Sequence, residues 1–201
     1  DRLQQLLEVR PSTDDDRLIR LDARNVLGKL LLAQGDFRAA EHHFAADAFE
    51  ASLAQQPVGE LRAKVNRAIA VMSLGRRAEA QNLLEAVLVE GERTGELKAK
   101  GISLINLATL AIIDRRYGEA LDLSDQAVEV LRRIGDKVAL SRCIANLAEL
   151  RARIGLIEEA AQAVRFGMRV LRGGLPPEQA SRFALVLARV ALSKGDTSGA
   201  S

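Results

Sequence analysis

The residues best suited to bind a ligand are three asparagines and three arginines whose spacings are multiples of forty residues. They are Asn66, Asn106 and Asn146, and Arg62, Arg142 and Arg182. An asparagine amide offers both a donor and an acceptor, which suits an extended peptide backbone that has no partner strand. An arginine guanidinium adds a planar fork that binds carboxylates. Because Arg62 and Arg142 lie four residues before an asparagine, each pair would share one face of a helix.

Residue sets for catalysis are poorly represented. His42 and His43 are adjacent, so on a helix they would point about 100° apart and could not chelate a metal together. Cys143 has no histidine near it in the pattern, and we interpret it as a small buried apolar residue. The sequence has no glycine-rich phosphate loop, dinucleotide fingerprint or Ser-His-Asp set. We therefore predict that the chain is not an enzyme and has no metal site and no cofactor.

Composition excludes several further classes of protein. The chain has 201 residues, of which 48% are apolar and 28% charged, and its net charge is +2. These values are typical of globular domains, and the charge is too small to favour bulk attraction to nucleic acid or membranes. The longest mostly apolar stretch, 102–113, is too short and too polar to cross a bilayer. A single cysteine cannot form an internal disulfide and suits a reducing compartment, so we expect a cytoplasmic location.

A repeat of forty residues positions these side chains. One column of the repeat is alanine throughout, at Ala40, Ala80, Ala120, Ala160 and Ala200. A second column holds only small residues, Gly28, Ala68, Ala108, Ala148 and Ala188. A third column is glycine at 35, 75, 155 and 195, with Arg115 as its exception. Each row contains two stripes of apolar residues at helical spacing and no sustained alternation typical of strands, which predicts an all-α fold.

The small columns have a physical explanation in a stack of helix pairs. Two helices approach closely only where neither carries a bulky side chain, so these columns predict the points at which helices cross. One pair cannot bury its apolar face alone, and stacked neighbours form a continuous core.

The residues Leu27-Gly28, Gly35-Asp36-Phe37, Ala40 and Phe44 resemble the tetratricopeptide repeat. The period of forty is similar to the longer repeats of kinesin light chains and of bacterial regulators such as the maltose activator. The resemblance implies a right-handed superhelical solenoid of antiparallel helix pairs. We expect one domain over 1–201, with repeats near 21–60, 61–100, 101–140 and 141–180 and partial repeats at 1–20 and 181–201, as a fragment of a longer chain.

The resemblance also implies that the first helix of each repeat lines a concave groove. The order Arg62, Asn66, Asn106 and Arg142 is then similar to the family's carboxylate clamp, although Asn146 stands where a cation is expected. Asn146 and Arg182 continue the row. Apolar candidates for the same groove are Val65, Ile69, Ile105 and Ile112. Alternatively, the asparagines bond to neighbouring helices, the arginines form a solvated face, and the isoleucines pack on an adjacent helix.

From this resemblance we predict a protein-interaction module that binds a peptide or partner domain in the groove, within a larger bacterial regulatory or scaffold protein. Contact with flanking domains and self-association both stay open. An alternative function is a helical-repeat receptor for nucleic acid or a small signalling effector. Five Phe, one Tyr and no Trp provide few groups for stacking on bases, so nucleic acid is the weaker choice.

Overall fold

The computed structural model describes residues 13–171 and 175–193, which contain nine α-helices and no strand. In chain order these helices are α1 (Asp14–Gln34), α2 (Phe37–Leu53), α3 (Pro57–Ser73), α4 (Arg77–Thr94), α5 (Leu97–Ile113), α6 (Tyr117–Ile134), α7 (Lys137–Arg153), α8 (Ile157–Val170) and α9 (Pro177–Ser193). The predicted all-α fold is confirmed. Of the partial repeats expected at 1–20 and 181–201, residues 1–12 and 194–201 lie outside the described residues.

Short turns fold successive helices back on each other. From α1 to α8 every connection is two or three residues long. Within the units, α1 packs on α2, α2 on α3, α3 on α4, α6 on α7 and α7 on α8, so these pairs are antiparallel. At the end of α6, Gly135 has a positive φ of 71° and its N–H donates to the Arg132 carbonyl oxygen. The Asp136 carboxylate then accepts from the Ala139 N–H at 3.0 Å and begins α7. The turn at 134–136 therefore ends one helix and caps the next.

Two turns use a left-handed residue other than glycine. Arg115, the exception in the glycine column, has a φ of 61°, close to the 80° of Gly75 in the preceding row. Gln55 has a φ of 53° at the position that glycine occupies in Gly95 and Gly135. The backbone thus keeps the turn geometry of the repeat at both sites, although a β-carbon disfavours this conformation.

The small columns lie where helices pack closely. Ala40, Ala80, Ala120 and Ala160 are all completely buried. In the other small column, Gly28 lies against the ring of the fully buried Phe44, while Ala68, Ala108 and Ala148 are in the core. Ala188 differs from the rest of its column, because it is exposed.

The chain divides into two compact units, Asp1–Ala99 and Lys100–Ser201. Within the first, α2 packs on α1 and α3, and α3 packs on α4. Within the second, α7 packs on α6, α8 and α9. The division falls at the predicted repeat boundary near residue 100, and the single domain over 1–201 stays a prediction. No helix in the described ranges is long and apolar enough to cross a bilayer.

Candidate functional site

In the first unit, the predicted site residues bond to a neighbouring helix. Asn66 Nδ2 on α3 donates to Asn25 Oδ1 on α1 at 2.8 Å. One turn earlier, Arg62 Nη1 donates to Asp22 Oδ1 at 3.0 Å. Both side chains thus join α1 to α3, which is the kind of bond that the alternative described for the asparagines. Ile69 is half-buried and Val65 is buried in the core of this unit.

A buried carboxylate lies near these polar side chains. Asp47 on α2 is completely buried, and neither of its carboxylate oxygens has a hydrogen-bond partner among the described residues. Burial raises the pKa of Asp47 from 3.8 to about 6, against the opposing attraction of Arg62 and Arg24. Arg24 itself pairs with Glu50 at 2.6 Å. In the following rows the position of Asp47 holds Val87, Ala127 and Gly167, all buried. Asp47 is therefore a charge placed in an otherwise apolar column.

In the second unit, two of the predicted residues, both on α5, are buried. Asn106 is only 8% exposed, and its Nδ2 donates to the Ile102 carbonyl oxygen of the same helix at 2.8 Å. Ile105 is buried as well, and its carbonyl oxygen accepts from the Thr109 hydroxyl at 2.9 Å. Ile112, two turns along from Ile105, is only half-buried and reaches the surface.

The predicted polar residues continue on α7 and α9, where Arg182 joins two polar side chains. Its Nη2 donates to Asn146 Oδ1 at 2.8 Å, and its Nε and Nη2 each donate to a carboxylate oxygen of Glu149 at 2.7 Å. The hydrogen bonds to Glu149 raise the pKa of Arg182 and fix its guanidinium between the helices. Arg142, one turn before Asn146, is exposed and has no hydrogen bond or ion pair within the described part of the chain.

These residues border an open groove of about 440 Å³ formed by α5, α7 and α9, the first helices of three successive repeats. We call it the α5–α7–α9 groove. Its lining residues are Thr109, Ile112, Asn146, Glu149, Leu150, Ala152, Arg153, Leu185, Val186 and Arg189. The lining combines apolar side chains with amide, carboxylate and guanidinium groups, which is the mixture that peptide sites use.

The groove includes some of the predicted site residues and leaves out others. Ile112 and Asn146 line it, and Arg182 binds Asn146 at its edge. Leu185 was not among the predicted residues. It is 70% exposed, whereas Val65, Ile105 and Ala145 at the same position of the repeat are buried. No pattern in the sequence distinguishes Leu185 from these core residues.

The cysteine and histidines show no arrangement for chemistry. Cys143 is buried, its thiol lies 3.5 Å from the Ser124 carbonyl oxygen, and burial raises its pKa to about 12. The rings of His42 and His43 meet edge to face with centroids 5.9 Å apart. Across the described residues, no group of three or more His, Cys, Asp and Glu side chains is placed to hold a metal ion. The interpretation of Cys143 as a packed residue agrees with this position.

Comparison with known proteins identifies the fold. No protein-family model and no curated protein matches the chain. Among solved structures, BtubC (BKLC) from P. vanneervenii is 19% identical, with a TM-score of 0.79 over 96% of this chain and 80% of that one. A structure of kinesin light chain nearly identical TPR-like repeats from Podosopora anserina is 21% identical, with a TM-score of 0.67 over 90% of each chain.

A third solved structure similar to this chain is aspartyl phosphate phosphatase F from Bacillus subtilis. It is 12% identical, with a TM-score of 0.81 over 98% of this chain. The chain spans only 51% of that protein's length. At these identities the similarity concerns the fold, which is the TPR-like helical repeat that the sequence predicted.

Proposed function

We propose that the chain is a non-catalytic protein-interaction module that binds an extended peptide segment of a partner in the α5–α7–α9 groove. The observation that supports this most directly is an open groove of about 440 Å³ in which apolar surface lies beside the Arg153 and Arg189 guanidiniums, which have no ion pair among the described residues. We infer that the module acts within a larger regulatory or scaffold protein of the bacterial cytoplasm.

Asn146 is the proposed contact for the peptide backbone. Arg182 donates to its Oδ1, which directs that end of the amide toward α9. No residue in the described ranges accepts from Asn146 Nδ2. A carbonyl oxygen of a peptide lying in the groove can accept this hydrogen bond, while Arg182 acts as a positioning residue.

Apolar side chains of the groove provide the second element of recognition. Ile112 is half-buried, Leu185 projects from α9, and Val186 lies beside it in the floor. An apolar side chain of the ligand packed between them removes apolar surface from water. Arg153 and Arg189 line the same groove and have no ion pair within the described residues, so they add attraction for a ligand carboxylate.

The other predicted contacts have different parts in this proposal. Val65, Ile105 and Asn106 stabilise the helices from the interior. Arg142 is free to contact a ligand. Arg62, Asn66 and the half-buried Ile69 lie on α3 in the first unit, where Arg62 and Asn66 bond to α1, and we give them no part in binding at the α5–α7–α9 groove.

Selection of binding peptides from a random library tests this function without requiring a defined partner. A random peptide display library is selected on the immobilised chain, and enriched peptides are measured by fluorescence anisotropy. Leu185→Lys places a charge in the apolar part of the groove, and Asn146→Ala removes the backbone donor. We expect the double variant to bind the enriched peptides at least about ten-fold more weakly, since each change removes about 1 kcal/mol or more.

Leu192→Lys is the matched control, because Leu192 lies on the same helix, is 68% exposed and does not line the groove. This control should bind the peptides as the parent chain does. Enriched peptides that bind the groove variant and the parent equally would refute the assignment of the groove.

A further inference from the structure

We propose a second binding site on the second unit, for an acidic peptide segment, in a cavity formed by α6, α7 and α8. This cavity has a volume of about 500 Å³ and is open to solvent. Its lining residues are Asp125, Val128, Ile144, Leu147, Arg151, Gln162, Ala163, Arg165, Phe166 and Arg169. We call it the arginine cavity, and it shares no lining residue with the α5–α7–α9 groove.

The cavity carries a surplus of positive charge. Arg151 Nη2 bonds to both oxygens of Asp125, at 3.1 and 3.3 Å, so this guanidinium is neutralised. Arg165 and Arg169 lie four residues apart on α8, both are exposed, and neither has a hydrogen bond or ion pair among the described residues. Three guanidiniums therefore face one carboxylate, which leaves two positive charges for a ligand.

The repeat fold does not require these arginines. The position of Arg151 holds Leu31, Val71 and Ala111 in the other rows, all apolar. The position of Arg165 holds Ala45, Glu85 and Asp125, and that of Arg169 holds Phe49, Val89 and Glu129. The helix pairs of the other rows thus form with apolar or acidic residues at the same places. The fourth repeat alone places arginine at all three positions, and Arg165 and Arg169 are the two whose charges are available for recognition.

The rest of the lining indicates what kind of anion fits. Leu147 and Ile144 form a buried apolar floor, and Phe166 is half-buried beside the arginines. Free phosphate would satisfy Arg165 and Arg169 but would leave this apolar surface and most of the volume in contact with water. A peptide with carboxylates on both sides of an apolar residue satisfies both parts of the cavity, because the carboxylates bind the forks and the apolar side chain covers Phe166.

Anisotropy titrations with a defined probe test the site. The probe is a fluorescein-labelled peptide, Gly-Glu-Glu-Leu-Glu-Glu-Gly, and its control has glutamine in place of every glutamate. The variant is Arg165→Gln with Arg169→Gln. We expect the variant to bind the probe roughly ten-fold or more weakly than the parent chain. The parent should bind the glutamine peptide with a similar loss, and its binding of the acidic probe should fall as salt is raised.

The matched control is Arg133→Gln with Lys137→Gln, which removes the same two charges from exposed positions of the second unit that do not line the cavity. It should bind the probe like the parent, and far-UV circular dichroism should show that both variants remain folded. Equal losses in the two variants would mean general attraction and would overturn the proposal.

Two competitors distinguish other sources of anions. Inorganic phosphate that displaces the probe at a concentration similar to that of unlabelled peptide would identify a phosphate site instead. A single-stranded oligonucleotide of equal charge that binds more tightly than the peptide, and loses that binding in the Arg165/Arg169 variant, would identify a nucleic-acid site. Either result contradicts the proposal, whereas weaker competition by both supports it. Neither result bears on the α5–α7–α9 groove.

Discussion

Gly28→Ala tests whether the neighbouring side chains of each repeat determine which small residue stands in the column of Gly28. A methyl group on the Gly28 Cα would lie 2.5 Å from Phe44 Cε1, 2.7 Å from Cζ and 3.0 Å from Cδ1. Carbon atoms in contact normally stand about 3.5–4.0 Å apart, so the ring must move by about 1 Å. Phe44 is completely buried and packs with Ala40 and Ala70, which leaves it little room.

Two opposing contributions determine the size of the effect. Overpacking a filled core costs about 1–3 kcal/mol, and replacing glycine by alanine inside a helix gains about 0.5–1 kcal/mol. We therefore expect Gly28→Ala to lower the free energy of unfolding by about 1 kcal/mol. The other rows place alanine at this position and a smaller residue at that of Phe44, namely Leu84, Ser124 or Val164. In a Phe44→Leu background Gly28→Ala should thus be neutral or stabilising.

Urea unfolding of the four proteins in this double-mutant cycle measures the coupling. The chain has no Trp, so far-UV circular dichroism is the suitable signal. We expect a coupling of about 1–2 kcal/mol between the two sites, as found for residues in direct contact. Equal effects of Gly28→Ala in the two backgrounds would show that the ring does not limit this position.

Three further predictions concern single residues. Arg115→Gly should raise the free energy of unfolding by about 0.5–1 kcal/mol in urea titrations, because Arg115 adopts a left-handed conformation with a φ of 61°. An unchanged or lower value would contradict this. Asp47→Asn should stabilise the chain at neutral pH. The folded pKa of Asp47 is raised to about 6 from 3.8, so its penalty is absent below pH 4, grows as the pH rises, and reaches about 3 kcal/mol above pH 6. Unfolding measured across this range should show the slope in the parent and lose it in the variant, and an equal slope in both would exclude Asp47 as its source. Cys143 should react with a disulfide reagent only as fast as the chain opens, because it is buried with a pKa of about 12. Rapid reaction of the folded chain would place this thiol at the surface.

The helix pairs and their turns could be predicted because each depends on a local pattern that recurs. Ala40, Ala80, Ala120 and Ala160 repeat because the same close approach recurs in each row, and all four are buried. The turn at Gly135 follows from the left-handed conformation that glycine adopts readily. Even Arg115 keeps this geometry, with a φ of 61°, although its β-carbon disfavours the conformation.

The contacts of the polar row could not be predicted from spacing alone. Asn66 and Asn146 occupy the same position of the repeat, yet Asn66 donates to Asn25 whereas Asn146 accepts from Arg182. Asn106, between them in the sequence, bonds to its own helix. An amide can donate or accept, so its partner depends on which side chain the next helix presents. That choice is made by long-range packing, on which the repeat places no constraint.

Residues that depart from the repeat differ in their effect on the stability of the fold, depending on whether they are buried or exposed. Asp47 replaces small apolar residues at a fully buried position and leaves its carboxylate oxygens without a hydrogen bond to any described residue, so it destabilises the fold. Arg165 and Arg169 also depart from their columns, but they are exposed, and their charges remain solvated. Such surface departures can accumulate with little effect on stability. A repeat protein can therefore acquire binding residues most readily in the exposed columns of a single repeat, which is where Arg165 and Arg169 lie.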